Sequence, residues 1–440
     1  MEKLNEELIR KISKKKEEPE WLLNIRLKSL ELFNKTELPN WGPNLSQLDF
    51  NKINYYKDPN IKESTSWDKI PDDIRQIYEK LGIPKAEINA LGGAGAQYES
   101  EIIYHNLKKE LKEQGVIFEN MDNAIKKYPE LIKKYFLKCV PYSDHKFMML
   151  HAAVWSGGTF IYIPENVKVK IPLQAYFRMN TENMGQFEHT LIIADKNSEV
   201  HYIEGCSAPA YKSSSLHAGC VEIFVNENAK VRYSSVENWS NNTFNLNTKR
   251  AIVEKNGKIE WVSGNLGSGT TMLYPTSILK GINSESESLG IAFASNNQNQ
   301  DIGSKAIHLA SNTKSIIKSK SISKGNGICT YRGKVFISEN ATNCITTTNC
   351  DALLINENSV SNTYPIIDIR NNTTECSHEA SIGRIGNNEI FFLRSRGLNE
   401  EEAIKLIVSG FIDPVVKQLP LEYAVELNKL IELEMEGSVG

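Results

Sequence analysis

The amino-acid sequence predicts a mainly β protein, with a central region built as a solenoid, a sandwich or a barrel and an α-helical region on either side. In the middle of the chain, short apolar runs alternate with Asn, Gly, Ser and Asp and no helical pattern separates them. Both ends instead carry apolar residues at helical spacing. We therefore expect an N-terminal helical domain over residues 1–140, a β core over 141–375 and a C-terminal helical domain over 376–440.

The N-terminal region opens with a helical stripe of Leu4, Leu8, Ile9 and Ile12 in a segment rich in lysine and glutamate. The segment 39–43, Pro-Asn-Trp-Gly-Pro, ends this pattern in a loop. The glycine-dense segment 91–96 lacks the lysine and hydroxyl residue of a phosphate-binding loop, so we do not expect it to bind a nucleotide.

The central region contains apolar runs of five to eight residues that are typical of strands. They lie at 159–163, 190–194, 221–225, 230–236, 258–262, 315–322 and 333–337. A small–polar–apolar triplet recurs at 167–169, 198–200, 229–231 and 257–259. This spacing is roughly 30 residues, the size of one coil of a right-handed β-helix, and it favours a solenoid over a sandwich.

The C-terminal region returns to helical patterns. Asn399 precedes three acidic residues, as the positive end of a helix prefers, and Leu406, Ile407 and Phe411 supply an apolar face. A last helix is expected from Pro420, with a stripe of Leu421, Ala424, Val425, Leu427, Leu430 and Ile431. Terminal helices of this kind cap a solenoid or dock a partner.

Composition excludes several classes of protein. The 440 residues carry a net charge of −3, which gives no bulk attraction for nucleic acid. No apolar run approaches about 18 residues and the N-terminus has no apolar core of a signal peptide, so neither a membrane span nor secretion is expected. Seven cysteines without regular spacing fit a reducing compartment, either the cytoplasm or the interior of an organelle such as a plastid.

Three cysteines lie in sequence contexts that indicate possible chemical sites. Cys206 lies in Glu-Gly-Cys-Ser-Ala-Pro, Cys350 lies in Asn-Cys-Asp, and Cys376 is followed by Ser377, His378 and Glu379. Thiolate, imidazole and carboxylate groups together suit an iron or zinc site better than a disulfide framework. The histidines at 105, 145, 151, 189, 217 and 308 are interpreted as packing or hydrogen-bonding residues.

Longer phrases along the chain closely resemble the SufB/SufD family of Suf-system proteins and, within it, SufB. They are Gly-Ala-Gln-Tyr-Glu-Ser-Glu at 95–101, Ala-Val-Trp-Ser-Gly-Gly at 153–158, Ile-Pro-Leu-Gln-Ala-Tyr-Phe-Arg at 171–178, Met-Gly-Gln-Phe-Glu at 184–188, Glu-Gly-Cys at 204–206, Ser-Lys-Gly at 323–325, Tyr-Arg-Gly at 331–333, His-Glu-Ala at 378–380 and Leu-Pro-Leu-Glu-Tyr-Ala at 419–424. Their order covers the chain from about residue 90 onward, whereas the first 60 residues match poorly.

This resemblance implies a fold and a function. The fold would be a right-handed parallel β-helix core between two α-helical domains. The chain would be a non-catalytic scaffold for iron–sulfur cluster assembly that pairs with SufD or a second SufB. A cysteine desulfurase or sulfur-transfer protein would supply sulfur, and the SufC ATPase would bind the C-terminal helices and drive the process. The cluster would be transient, either [4Fe-4S] or [2Fe-2S].

The resemblance also implies site residues. Cys206 would accept the sulfur, and a buried packing thiol is the alternative. Arg178, Asn180, Glu237, Trp239 and Lys249 would line the internal route, although an ordinary buried ion pair remains open and Glu237 replaces a glutamine of some relatives. We expect Arg178, Lys249 or His201 to lower the pKa of Cys206.

At the other end of the route, Cys350 would hold the cluster with Glu379 and His378. Ser377 stands where some relatives have an acid, which removes a third local carboxylate.

Two rival interpretations stay open. A polysaccharide-cleaving β-helix enzyme would need clustered carboxylates or a calcium site, and no such spacing is evident in the sequence. A SufD-type partner would share the fold without the sulfur-accepting thiol, and Cys206 together with Cys350 favours SufB.

Overall fold

The computed structural model describes residues 3–72, 74–75, 91–209 and 213–417, and beyond these residues 424, 427–428, 430–432 and 435. The helices within these residues are α1 (Glu6–Lys16), α2 (Glu20–Lys35), α3 (Lys109–Glu113), α4 (Met121–Lys127), α5 (Pro129–Tyr135), α6 (Lys146–Val154), α7 (Asn387–Arg394) and α8 (Glu400–Val416). Short 3₁₀ turns cover Phe50–Lys52 and Trp67–Lys69.

Strands dominate the centre of the chain. They are β1 (Gly93–Tyr98), β2 (Glu101–Leu107), β3 (Ile117–Asn120), β4 (Thr159–Ile163), β5 (Leu173–Arg178), β6 (Gly185–Gln186), β7 (His189–Ala194), β8 (Glu199–Ser207), β9 (Ser215–His217), β10 (Cys220–Val225), β11 (Lys230–Trp239), β12 (Thr243–Asn245), β13 (Thr248–Val253), β14 (Lys258–Gly267), β15 (Thr270–Leu273), β16 (Thr276–Leu279), β17 (Glu285–Ala294), β18 (Asn299–Ile302), β19 (Lys305–His308), β20 (Lys314–Ser323), β21 (Ile328–Ile337), β22 (Ile345–Leu354), β23 (Val360–Ile369) and β24 (Glu375–Arg384).

Apart from β2 and β3, which pair antiparallel to their neighbours, these strands coil into a parallel β-solenoid of about eight turns. One wall is a ten-stranded sheet in the order β2-β1-β5-β8-β11-β14-β17-β20-β22-β24. Strands from the rest of each coil form the second sheet, which runs from β3 through β4, β7, β10, β13, β16 and β19 to β21 and returns through β18, β15, β12 and β9 to β6. The predicted mainly β fold with flanking helices is confirmed, and the sandwich and barrel alternatives are wrong.

An asparagine ladder explains why the coils repeat so regularly. Asn197, Asn228, Asn256 and Asn283 each precede a strand of the ten-stranded sheet and adopt a positive φ of 55–60°, a conformation that asparagine tolerates better than most residues. The side-chain amide of each one from Asn228 onward donates to the amide oxygen one coil back, at 2.8–3.0 Å. The predicted triplet repeat is thus the corner of each coil.

The N-terminal helices pack against the outside of the solenoid. Leu8, Ile9 and Ile12 of α1 are buried, as their spacing predicts, and α2 lies along α6 in one shared apolar core. The helical prediction for residues 1–140 is wrong for β1, β2 and β3, because β1 pairs with β5 and extends the ten-stranded sheet. A β-carbon at Gly93 would lie 2.8 Å from the Phe118 ring, so close packing explains that glycine.

Helix α8 packs on the outer face of the ten-stranded sheet, whereas α7 buries none of its residues. Val408, Ile412 and Val415 of α8 share an apolar cluster with Val236 and Ile291 of that sheet. Asn399 and Glu402 form a reciprocal cap at the start of α8, as the acidic first turn predicts.

The C-terminal boundary differs from the prediction in one stretch. Helical structure does not begin at 376, because β24 continues the sheet through Arg384. The start of the predicted last helix, at Pro420, lies outside the described residues, whereas Ala424, Leu427, Leu430 and Ile431 are helical. Among the helices that the structure describes, none has both the length and the apolar character needed to span a membrane.

Candidate functional site

A buried polar cluster lies inside the solenoid near its N-terminal end. Cys206 on β8 pairs in register with Glu237 on β11. Glu204 lies two residues before Cys206, and because side chains alternate along a strand it faces the same interior. Lys249 enters from β13 on the second sheet. Each of these side chains is at most 2 % exposed.

Hydrogen bonds connect this cluster into one network. The Lys249 ammonium donates to Glu237 at 2.7 Å and lies 3.9 Å from the Glu204 carboxylate. The Tyr233 hydroxyl donates to Glu204 at 2.5 Å, and the Asn245 amide donates to Glu237 at 2.6 Å. A buried charge is tolerated only when it is paired in this way.

The network sets the charge state of each carboxylate differently. Burial raises the pKa of Glu204, and Lys249 offsets only part of that effect. Burial also opposes ionisation of Glu237, but Lys249 and His217 outweigh it and hold the pKa of Glu237 below its usual value. For Lys249, burial lowers the pKa, yet Glu237 and Glu204 outweigh it and the net direction is upward. The cluster therefore holds an ionised Lys249–Glu237 pair beside a carboxyl group that protonates more readily.

Cys206 rests in this network as a protonated thiol. Burial raises its pKa well above the usual value, Glu204 and Glu237 raise it further, and Lys249 opposes them. Lys249 does act to lower the pKa of Cys206, as expected, but burial and the neighbouring carboxylates outweigh it, so the expected net decrease is wrong. Its sulfur lies 4.0 Å from a Glu204 oxygen, which is the nearest carboxylate base that the hydrogen-bond geometry indicates.

The other residues expected on the route fall in two places. Trp239 joins the cluster, since its indole N–H donates to Glu237 at 3.4 Å. Arg178 pairs in register with Ser207, one position beyond Cys206, and donates to the Ser207 hydroxyl at 2.9 Å. Asn180 donates to the Tyr98 hydroxyl at 2.8 Å. His201, expected near Cys206, instead contacts Ser234 at 2.9 Å.

Two further members of this cluster, His217 and Glu188, were not predicted from the sequence. His217 contacts Glu188 at 2.5 Å and Asn245 at 2.8 Å, and its ring lies 4.4 Å from that of Trp239. Burial lowers the pKa of His217, but Glu188 outweighs it and the net shift is upward. Counting residues from the asparagine at each corner could have shown that Glu188 and His217 face the interior. Glu188 lies just before a strand of the second sheet, and His217 lies in one.

A column of small side chains leads along the interior away from this cluster. Register pairs Glu204 with Ser235, then Ser263, Gly290, Ser319 and finally Cys350. The column of Cys206 runs beside it and reaches Ala352, two residues beyond Cys350 and on the same face. Five strand-to-strand steps separate β8 from β22, a distance of about 24 Å. Both thiols therefore face one interior, along one wall.

A small polar cavity lies on this path. It has a volume of about 20 Å³ and is lined by Ser263, Asn265, Gly290, Ser319 and Tyr331, among others. Such a volume holds about one water molecule. The Asn265 amide oxygen is buried without a hydrogen-bond partner, so the cavity offers an unsatisfied polar atom to an occupant.

Cys350 lies at the far end of the column, near the last coil. It is 5 % exposed, and its sulfur lies 3.9 Å from the His378 Nε2 atom. Burial raises the pKa of Cys350 to about 12, and the Tyr331 hydroxyl acts in the opposite direction by stabilising the thiolate. Glu379 pairs in register with Asn349 and is therefore directed to the opposite face from His378. The chain brings together Cys350 and His378, and it leaves Glu379 on the outer face of an edge strand.

Two further thiols flank this end. Cys344 is buried and contacts Thr313 and the Ala341 carbonyl oxygen at 3.1 Å, as a packing residue would. Cys376 is exposed and lines a small pocket with His378, Tyr331 and Thr348. Cys376 therefore lies beside His378, whereas Cys344 packs in the same apolar cluster as Cys350.

The solenoid ends in an uncovered surface beside Cys350. Strands β23 and β24 are the edges of their sheets. Tyr364, Ile366, Ile367 and Ile382 on these strands are each about half exposed. Unpaired strand edges with exposed apolar residues are typical of surfaces that pair with another chain.

Known protein families and proteins match this chain along nearly its whole length. Residues 177–411 match the model "SUF system FeS cluster assembly, SufBD core domain", and residues 69–175 match "SufBD protein N-terminal region". An iron–sulfur cluster assembly SufBD family protein of Staphylococcus aureus (strain MRSA252) is 52% identical over 437 residues, which cover 99% of this chain and 94% of the relative. A protein of the same description from Staphylococcus haemolyticus (strain JCSC1435) shows the same identity and coverage.

Proposed function

The chain belongs to the SufBD family of iron–sulfur cluster assembly proteins, and from this premise we propose that it is a SufB-type scaffold that carries sulfur from Cys206 to Cys350. The observation that supports this most is the register of the ten-stranded sheet. It sets two buried thiols on one interior wall, with hydroxyl and glycine positions between them. A SufD-type role would not account for both of these thiols.

The first step is sulfur transfer to Cys206. Glu204 takes the proton of the Cys206 thiol, and the thiolate attacks the outer sulfur of a donor persulfide, R–S–SH. The S–S bond breaks, R–S⁻ leaves and is protonated to R–SH, and Cys206 becomes a persulfide. No net oxidation occurs. Because Cys206 is 1 % exposed, the wall around β8 opens when the donor, a cysteine desulfurase or its sulfur-transfer partner, docks.

The second step is passage through the interior. Lys249 offers a cation to an anionic persulfide at the start of the route, and serine hydroxyls and the unpaired Asn265 oxygen line the middle. Side chains no larger than serine in the column leave space that valine or leucine would fill. A small carrier thiol, R′–SH, takes the outer sulfur as R′–S–SH and frees the Cys206 thiol. The Cys350 thiolate then attacks the outer sulfur of that persulfide and releases R′–SH, and the Tyr331 hydroxyl favours the thiolate form that this attack needs.

The third step is cluster assembly at the open end. Cys350 and His378 supply one thiolate and one imidazole, an incomplete ligand set that suits a cargo cluster, [4Fe-4S] or [2Fe-2S], which must later be released. Edge strands β23 and β24 pair with SufD or a second SufB. Glu379, on the outer face, completes the shell only if that pairing reorients β24.

The chain itself performs no turnover in this proposal. ATP hydrolysis belongs to a SufC partner on the C-terminal helices, and α8 transmits its movement because it packs directly on the wall that carries the route. All seven cysteines are free, which suits the cytoplasm or an organelle interior. The carboxylate cluster of Glu188, Glu204 and Glu237 does not support a polysaccharide-cleaving role, because it is sealed inside the solenoid.

Anaerobic reconstitution with iron and sulfide tests the proposal. The wild-type chain in complex with its partners should gain an oxygen-sensitive brown chromophore with one cluster per assembly site. Cys350→Ala should lose it, and Cys344→Ala, which removes a packing thiol nearby, should keep it. A cluster retained at full occupancy in Cys350→Ala would overturn the assignment of Cys350.

A further inference from the structure

A second cluster of metal-binding atoms lies on the outer side of the solenoid, away from the sulfur route. His189 begins β7 and Cys220 begins β10, and the two residues pair directly in register. His151 of α6 packs onto them from the helical layer. Exposure of these three side chains is 1 % or less. One ligand atom from each lies within 4.8 Å of the other two.

In each imidazole, the ring nitrogen that faces away from the other imidazole is a hydrogen-bond donor. His151 Nδ1 lies 2.8 Å from the Ala218 carbonyl oxygen, which can only accept, so Nδ1 carries a proton. Glu222 accepts backbone N–H groups from Leu137, Cys139 and Val140 at 2.6–2.8 Å. Both oxygens of Glu222 are therefore engaged as hydrogen-bond acceptors.

Glu222 accepts from His189 as well. The His189 Nε2 atom lies 3.0 Å from the Glu222 carboxylate, so Nε2 carries the proton of this imidazole. In neutral rings, the remaining nitrogens, His151 Nε2 and His189 Nδ1, are both lone-pair acceptors. These two atoms face each other at 3.0 Å. Two facing lone pairs repel unless a proton or a metal cation lies between them.

We propose that His151, His189 and Cys220 bind one divalent cation of the Zn²⁺ type. Ligating histidines usually donate the other ring N–H to a carboxylate or a backbone carbonyl, and Glu222 and Ala218 provide those two partners. A divalent ion with the Cys220 thiolate and the Glu222 carboxylate is electrically neutral, which a fully buried site requires. Tetrahedral coordination needs about 3.3 Å between the two nitrogens, a few tenths of an ångström more than the present separation.

The position of the site defines its role. Val221, next to Cys220, packs in the solenoid interior, so Cys220 faces the helical layer. The ion joins α6 to two neighbouring coils and fastens the N-terminal helices to the solenoid. It uses none of the groups on the sulfur route, so it is independent of the proposed relay.

Cobalt substitution tests the site in the full-length chain. All proteins carry Cys350→Ala, so that a cluster or metal at that thiol cannot contribute, and they are purified anaerobically from Co²⁺-supplemented cultures. We expect about one cobalt per chain and a thiolate-to-cobalt charge-transfer absorption. Cys220→Ser should remove that absorption, Cys376→Ser should leave it unchanged, and Glu222→Gln should weaken binding by about 10- to 100-fold.

A second measurement keeps the test valid if a variant is unstable. X-ray absorption of the Zn²⁺-loaded chain should show one sulfur at about 2.3 Å and nitrogen at about 2.0 Å. Circular dichroism should show that Cys220→Ser remains folded with a lower Tm that no longer depends on metal. A folded chain that purifies without a stoichiometric metal, or a charge-transfer band that survives Cys220→Ser, would overturn the proposal and leave a shared proton between the histidines.

Discussion

Removal of the Lys249 ammonium should destabilise the protein severely. Lys249 and Glu237 are 2.7 Å apart, and both side chains are at most 1% exposed. Lys249→Met keeps most of the side-chain volume but leaves the Glu237 carboxylate buried without its cation, and Glu204 loses the same neighbour. Breaking a buried pair at one partner costs about 3–5 kcal/mol. We expect the free energy of unfolding to fall by that amount.

Urea unfolding of four variants, Lys249→Met, Glu237→Gln, the combination of the two and a control, measures this effect. The double variant Lys249→Met with Glu237→Gln removes both charges and should recover at least about 1 kcal/mol relative to the sum of the single changes. Lys280→Met is the matched control, because it breaks an exposed pair with Glu254 at 2.9 Å and should change stability by about 1 kcal/mol or less. A loss below about 1 kcal/mol in Lys249→Met would refute the assignment of a buried, ionised pair.

Three further predictions concern other parts of the chain. Tyr331→Phe removes a group that stabilises the Cys350 thiolate, so the pKa of Cys350 should rise further and alkylation by iodoacetamide at fixed pH should slow; an unchanged rate would contradict this. Asn256→Ala should lower the free energy of unfolding by about 1–2 kcal/mol in urea denaturation, and Asn256→Gly, which tolerates the positive φ, should lose less; equal losses would argue against a conformational contribution. The pKa of His217 is raised in the folded chain because Glu188 outweighs burial, so its stabilisation is complete below the usual value of 6.5 and is lost as pH rises through the folded pKa. Urea midpoints should therefore fall from pH 6.5 upward in the wild type and less in His217→Gln, and parallel pH profiles would contradict the argument.

The fold could be predicted to a large extent because local chemistry repeats with each coil. The small–polar–apolar triplets mark corners where asparagine accepts a positive φ, so spacing alone located them. The sequence pattern did not indicate strands β1 and β24, and the reason differs between the two. Strand β1 is dense in glycine, which lowers strand propensity. Strand β24 is an exposed edge without apolar alternation, so no period distinguished it from a loop or a helix.

The candidate site could be predicted only in its thiols and in part of its polar lining. Resemblance to relatives pointed to Cys206, Lys249 and Cys350, and the register places all three along one interior. The charge balance around Cys206 could not be predicted, because it depends on Glu237 and Lys249, which the next coil brings beside Cys206. The proposed metal site could not be predicted either, since His151, His189 and Cys220 come from three separate elements with no motif spacing.

Sulfur tracing through the interior tests the central claim most directly. The complex is supplied with a desulfurase and labelled cysteine, and persulfide on the Cys206 and Cys350 peptides is quantified by mass spectrometry. A β-carbon at Gly290 would lie 3.3 Å from the Ser263 hydroxyl, whereas one at Gly383 has no atom within 4 Å. We predict that Gly290→Val retains label at Cys206 and loses it at Cys350, while Gly383→Val labels both. Full labelling of Cys350 in Gly290→Val, or in Cys206→Ser, would contradict a relay through the solenoid.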